Sequence, residues 1–160
     1  MPDKPTTLRL LRRSAVDLVR EVQQIPVEGV LWRPAEGEWS VHETLTHLRD
    51  VERMIFLERV RRVAAEDNPF LPLFDESQYH KDHWNPEEPI GQILGDLTQD
   101  HAQLCGLLEG ADWTRKGTPE TRGPVSLEWL ADYTLGHVRE HLSQILRARL
   151  AYEVRPEVGG

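Results

Sequence analysis

The chain has 160 residues, 39% of them hydrophobic and 29% charged, enough for one domain over 1–160 with a real core and too few for two. Its formal charge of −8, from 27 acidic and 19 basic residues, repels phosphate backbones and anionic bilayers, so no nucleic acid and no membrane is expected as partner. The single cysteine, Cys105, excludes an intrachain disulfide or a thiolate metal cluster, and without a signal-peptide stretch or about 18 consecutive apolar residues the expected location is cytoplasmic.

Leu8, Leu11, Ala15, Leu18, Val22 and Ile25 alternate spacings of three and four, the stripe of an amphipathic helix laid on a core. Pro26 and Gly29 end it, and residues 28–38, with Gly29, Pro34 and Gly37, read as a loop. Ser40 and Glu43 then form a capping box, in which a hydroxyl accepts from an orphan N–H while a carboxylate reaches back. It opens a second helix from Val41 to about Ala65, with Val41, Leu45, Leu48, Val51 and Ile55 on its inner side. Asn68-Pro69 ends that helix.

Residues 67–88 hold three prolines, several aromatics and no clean periodicity. The stretch reads as a connection able to run the length of a bundle, and its length makes it a candidate for function. A third helix starts at Pro89 and stops at Gly110, striped by Ile90, Leu94, Leu97, Leu104 and Leu108. Ser126 caps a fourth, which runs to about Leu150 on Leu127, Leu130, Thr134, Val138, Leu142 and Ile145. Four such helices without β-alternation predict an all-α four-helix bundle with a long crossover between helices two and three. The basic clusters, Arg59, Arg61 and Arg62 and later Arg147 and Arg149, fall near predicted helix C-termini and complement the dipole there.

His137 and His141 stand four apart on helix four, so their rings share one face with β-carbons about 5–6 Å apart, a spacing that suits two ligands of one ion. Tyr133 and Gln144 extend that line along the border of the apolar stripe, which turns the pair toward the bundle interior. On spacing alone, two ordinary helical histidines are as good a reading. His47, beside Leu48 on the inner side of helix two, is the best third ligand; Glu43 at i−4 and Asp50 at i+3 are placed to accept its second N–H. Three neutral nitrogens suit one divalent ion, zinc or nickel first and iron or manganese next, and leave a coordination position open.

The stretch Glu38-Trp39-Ser40-Val41-His42-Glu43-Thr44-Leu45-Thr46-His47-Leu48 resembles the W-S-x-x-E-x-x-x-H-L signature of the DinB/YfiT-like metalloprotein superfamily. The stretch from Gly136 to Ile145 is similar to that family's H-x-x-x-H-x-x-Q closing helix. Both motifs occur in order, and the resemblance covers nearly the whole chain. It implies a four-helix bundle with a long crossover and a metal held by His47, His137 and His141. Some DinB-like proteins are thiol-dependent transferases, so it also implies transfer of a small-molecule thiol to a small electrophile. The alternatives are a non-catalytic, metal-stabilised binding or stress-response module and, more remotely, a metal-dependent hydrolase: His137-Val138-Arg139-Glu140-His141 matches the inverted zinc-peptidase motif, which needs a downstream acid where only Glu153 and Glu157 follow.

The remaining candidates are weaker. His42, in the first turn of helix two, is expected in solvent, and His101, on the stripe of helix three, as a satisfied core histidine. His80 and His83 are candidate pocket linings. Phe70, Phe74, Tyr79 and Trp84 are a candidate apolar wall for the electrophile. Trp39 and Trp129 read as packing anchors and Cys105 as a small core residue. No catalytic residue is assigned, although Glu140 or Asp50 is positioned to take a proton. A homodimer is expected from the apolar stripes and aromatic content.

Overall fold

A computed structural model of the chain describes residues 3–157. Asp3 accepts a hydrogen bond from the N–H of Thr6 and starts α1 (Lys4–Gln23), with Pro5 in the first turn, where a missing N–H costs little. A single 3₁₀ turn, Val27–Gly29, interrupts the following loop. Gly29 packs closely there, since a β-carbon would lie 3.0 Å from the Tyr152 ring. The capping box forms as expected: Ser40 Oγ accepts from the N–H of Glu43, and Glu43 Oε1 accepts from the N–H of Ser40.

The expected second helix is one helical run with an altered middle. It begins as α2 (Val41–Val51), widens into a π-helical segment at Glu52–Leu57 and resumes as α3 (Glu58–Ala65). In this segment the consecutive Ile55 and Phe56 both enter the core, and the charged Glu52 lies inside as well, at 1% exposure.

The crossover, read from sequence as a connection without clean periodicity, is partly regular. It contains a two-residue strand, β1 (Phe70–Leu71), and α4 (Glu76–His83), capped by Asp75 accepting from the N–H of Gln78. The strand belongs to a small sheet of order β1-β2-β3, with β2 (Lys116–Pro119) parallel to β1 and antiparallel to β3 (Val125–Ser126). β2 lies so close to α3 that a β-carbon on Gly117 would come within 2.6 Å of Val63 Cγ2. Helix three is α5 (Ile90–Gly110), and helix four is α6 (Leu127–Glu153), capped by Ser126.

The four long segments form a ring: α1 packs on α5 and α6, and α2 packs on the same two from the other side. The fold is therefore a four-helix bundle, with α4 laid on α2. Two apolar clusters fill it. One holds Leu45, Leu48, Leu97 and Ile145, and the other Val51, Phe56, Leu104 and Leu135. Along three of the four long helices, polar residues fall where one cluster gives way to the next: Ser14 on α1, His101 on α5, and His137 and His141 on α6. Among the described residues no helix is long and apolar enough to cross a membrane.

His101 is a satisfied core histidine, and a charged one. Its Nδ1 donates to Glu52 Oε1 and its Nε2 to the carbonyl of Leu11, both at 2.7 Å. Both partners only accept, so both ring nitrogens carry protons. Burial opposes that charge, but the neighbouring Cys105 and Glu52 outweigh it and raise the pKa to about 10. The ion pair ties α1, the π-helical segment and α5 together in the middle of the bundle.

Candidate metal centre

His47 faces α6 from α2, and His137 and His141 lie one turn apart on α6, so packing these two helices brings three imidazoles to one point. One ligand nitrogen from each lies within 4.8 Å of the others. The ring centroid of His47 is 5.6 Å from that of His137 and 4.8 Å from that of His141. His141 Nε2 is 3.2 Å from His137 Nε2.

The orientation of His141 is set by Gln144, one turn further on, whose Oε1 accepts from Nδ1–H at 2.8 Å. A neutral ring that donates from Nδ1 keeps its lone pair on Nε2, the nitrogen turned toward His137. His47 is pushed down to a pKa of about 3, first by burial and then by His141, His137 and His80. His137 is pushed down to about 4, by burial and then by His141. Imidazoles that resist protonation and converge their lone pairs are chemically suited to a borderline divalent cation. Zinc, nickel or a similar ion fits this donor set.

The walls of the cluster come from three places. Phe56, from the π-helical segment, packs edge-on to His137 with centroids 5.2 Å apart. Trp39 lies against both His47 and His80, at 5.0 and 4.5 Å. It is thus a wall of the site as well as a packing anchor. From the crossover, α4 contributes His80 and Glu76. Glu76 Oε1 is 4.0 Å from His47 Nε2, and the side chain is 44% exposed, so the cluster is open toward this acid. Burial raises the carboxyl pKa of Glu76, against the opposing pull of the nearby His141 and Arg59. His80 is buried, and among the described residues neither ring nitrogen has a hydrogen-bond partner.

Several expected roles fall to other residues. Glu43 and Asp50 were the expected acceptors for the second N–H of His47, but Glu43 is held by Arg33 in a two-pronged pair and Asp50 by Arg49. The side chain that accepts a ligand ring's second N–H is instead Gln144, and the ring is that of His141. His42 is not in solvent: it is 2% exposed, donates from Nε2 to the carbonyl of Glu88 and accepts on Nδ1 from Trp84 Nε1. It fastens the returning end of the crossover. The expected aromatic wall is largely elsewhere, with Phe70 57% exposed, Phe74 tilted against Tyr79 and Tyr79 stacked on His83. Only Trp84 approaches, through its stack on His80. Glu140 is exposed, whereas Glu76, which no sequence signal singles out, is the carboxylate beside the cluster.

A bundle with this crossover and a three-histidine cluster between its second and closing helices has the architecture of the DinB superfamily. The chain matches that superfamily over residues 10–145 and belongs to it. Among solved structures it is similar to YfiT from Bacillus subtilis, described as a probable metal-dependent hydrolase with an unusual four-helix bundle topology. The identity is 18%, the TM-score 0.84, and the match covers 94% of this chain and 87% of that one. No curated protein matches the chain by sequence at a significant level.

Proposed function

We propose that this chain holds one divalent metal ion on His47, His137 and His141 and uses it to activate a low-molecular-weight thiol for transfer to a small electrophile. The observation that carries this reading is the convergence of three imidazole nitrogens within 4.8 Å on a side open toward Glu76. When bound, the ion favours thiolate over thiol at its open position and so supplies the nucleophile. The protein's own contribution is to keep His47 and His137 neutral, aim His141 through Gln144 and shield the cluster with Trp39 and Phe56. Glu76 is placed to take the thiol proton on Oε1, its carboxyl already raised toward the range of a useful base. The choice of thiol rests on the motif resemblance.

A second reading, hydrolysis, is favoured by the same Glu76, since a carboxylate beside an open metal position is equally suited to accept a proton from water. The two are separated by incubating zinc- or nickel-loaded protein with low-molecular-weight thiols and generic electrophiles, and in parallel with ester and amide substrates. Conjugation that is lost in His137→Ala supports thiol transfer, and hydrolysis without conjugation replaces it with the second reading. No turnover of either kind, with metal bound, leaves the metal-stabilised binding module as the function.

A further inference from the structure

Beside the histidine cluster, the end of α6 and the loop before α2 enclose a cleft of about 500 Å³, within the range of small-molecule sites. Trp39 and Glu38 line it from the loop, and Gln144, Arg147, Ala148 and Ala151 from the helix. Two of these residues also touch the metal centre: Trp39 packs on His47, and Gln144 bonds to His141. The cleft and the cluster thus share walls. The space exists because α6 presents alanine at two successive turns, where larger side chains would fill it.

Arg147 is the one cation of the cleft lining. Arg149, two residues on, is bridged to Glu21 and Glu153, whereas among the described residues no carboxylate lies within 4 Å of the Arg147 guanidinium. A side chain expected to serve only the helix dipole therefore stands unpaired over a cavity. Glu38 lies in the same lining, so a dianion such as a phosphate monoester would leave one negative charge facing another. A single carboxylate matches one guanidinium, and guanidinium binds it in a two-pronged geometry. From His141 to Arg147 the helix rises about 9 Å, at about 1.5 Å per residue, which sets the separation between the acid group and the end of the ligand at the histidines.

We propose that this cleft binds the body of a small monocarboxylate whose acid group pairs with Arg147 and whose far end, about a dipeptide's length away, reaches past Trp39 and Gln144 to the three histidines. The position of the acid group stands on the cleft alone, and only the role of the far end rests on the metal-centre reading above.

The probes are N-acetyl-cysteinyl-glycine, its C-terminal amide and N-acetyl-seryl-glycine, titrated calorimetrically into the zinc-loaded protein. The wild type is expected to bind the acid about tenfold more tightly than the amide, the effect of one charge-assisted pair. Arg147→Gln removes that preference, Ala151→Phe weakens both peptides alike, and neither changes zinc content. Equal binding of acid and amide by the wild type overturns the proposal, as does a preference that survives Arg147→Gln, or no binding of the acid at millimolar concentration. An Arg147-dependent acid preference with no difference between cysteinyl and seryl peptides supports the cleft and overturns the thiol reading.

Discussion

The depressed pKa values of His47 and His137 make the metal-free protein acid-sensitive in a defined window. Each group titrates at 6.5 in the unfolded chain, and in the fold His47 stays neutral down to about 3 and His137 down to about 4. The unfolded state therefore takes up protons first, and the stability these groups contribute is present above pH 6.5 and lost as pH falls toward 4. Between about pH 7 and pH 5 each histidine costs about 2 kcal/mol, about 4 kcal/mol for the pair. His101 works in the opposite direction. Its pKa is raised to about 10, so its contribution is full below 6.5 and lost as pH rises through 10. Over the same interval it returns just under about 1 kcal/mol, leaving a net loss of about 3 kcal/mol. The assay is urea unfolding of chelator-treated protein at pH 7, 6 and 5, followed by far-ultraviolet circular dichroism, with a His47→Leu/His137→Leu double variant as control. The wild type is expected to lose about 3 kcal/mol and the variant to stay level or gain slightly. A wild-type loss under about 1 kcal/mol, or an equal loss in the variant, refutes the assignment of these two rings as buried and neutral.

Gln144→Leu removes the acceptor that orients His141, and metal affinity measured by chelator competition is expected to fall about 10- to 100-fold with the fold intact. His101→Leu leaves Glu52 buried without its partner and is expected to cost about 3–5 kcal/mol in chemical denaturation. Adding Glu52→Leu should recover most of that loss, and a double variant as unstable as the single one would show that the pair itself is indispensable. Gly117→Ala places a β-carbon against Val63 and is expected to cost about 1–3 kcal/mol, read as a lowered melting temperature.

What the sequence determined by itself is what can be encoded within a few residues. The stripes of α1, α5 and α6, the capping box at Ser40 and Glu43 and the N-cap at Ser126 each satisfy a requirement inside one or two turns, so spacing alone reveals them. The placement of His137 and His141 on one face follows from the same geometry. The Asp75 cap and Gln78 would have signalled α4 too, but eight residues without an apolar stripe are easily read as loop. The tertiary structure decided everything that depends on what faces a side chain from across the bundle. Glu76 stands beside His47, 29 positions away in the chain, only because α4 packs on α2. His42 is buried only because Trp84 and the Glu88 carbonyl return to it, and His101 is charged only because Glu52 and Leu11 both offer acceptors. A residue's local pattern states which way it faces along its own helix. Its charge, its partner and its access to a ligand are properties of the space it faces, and packing of the bundle creates that space.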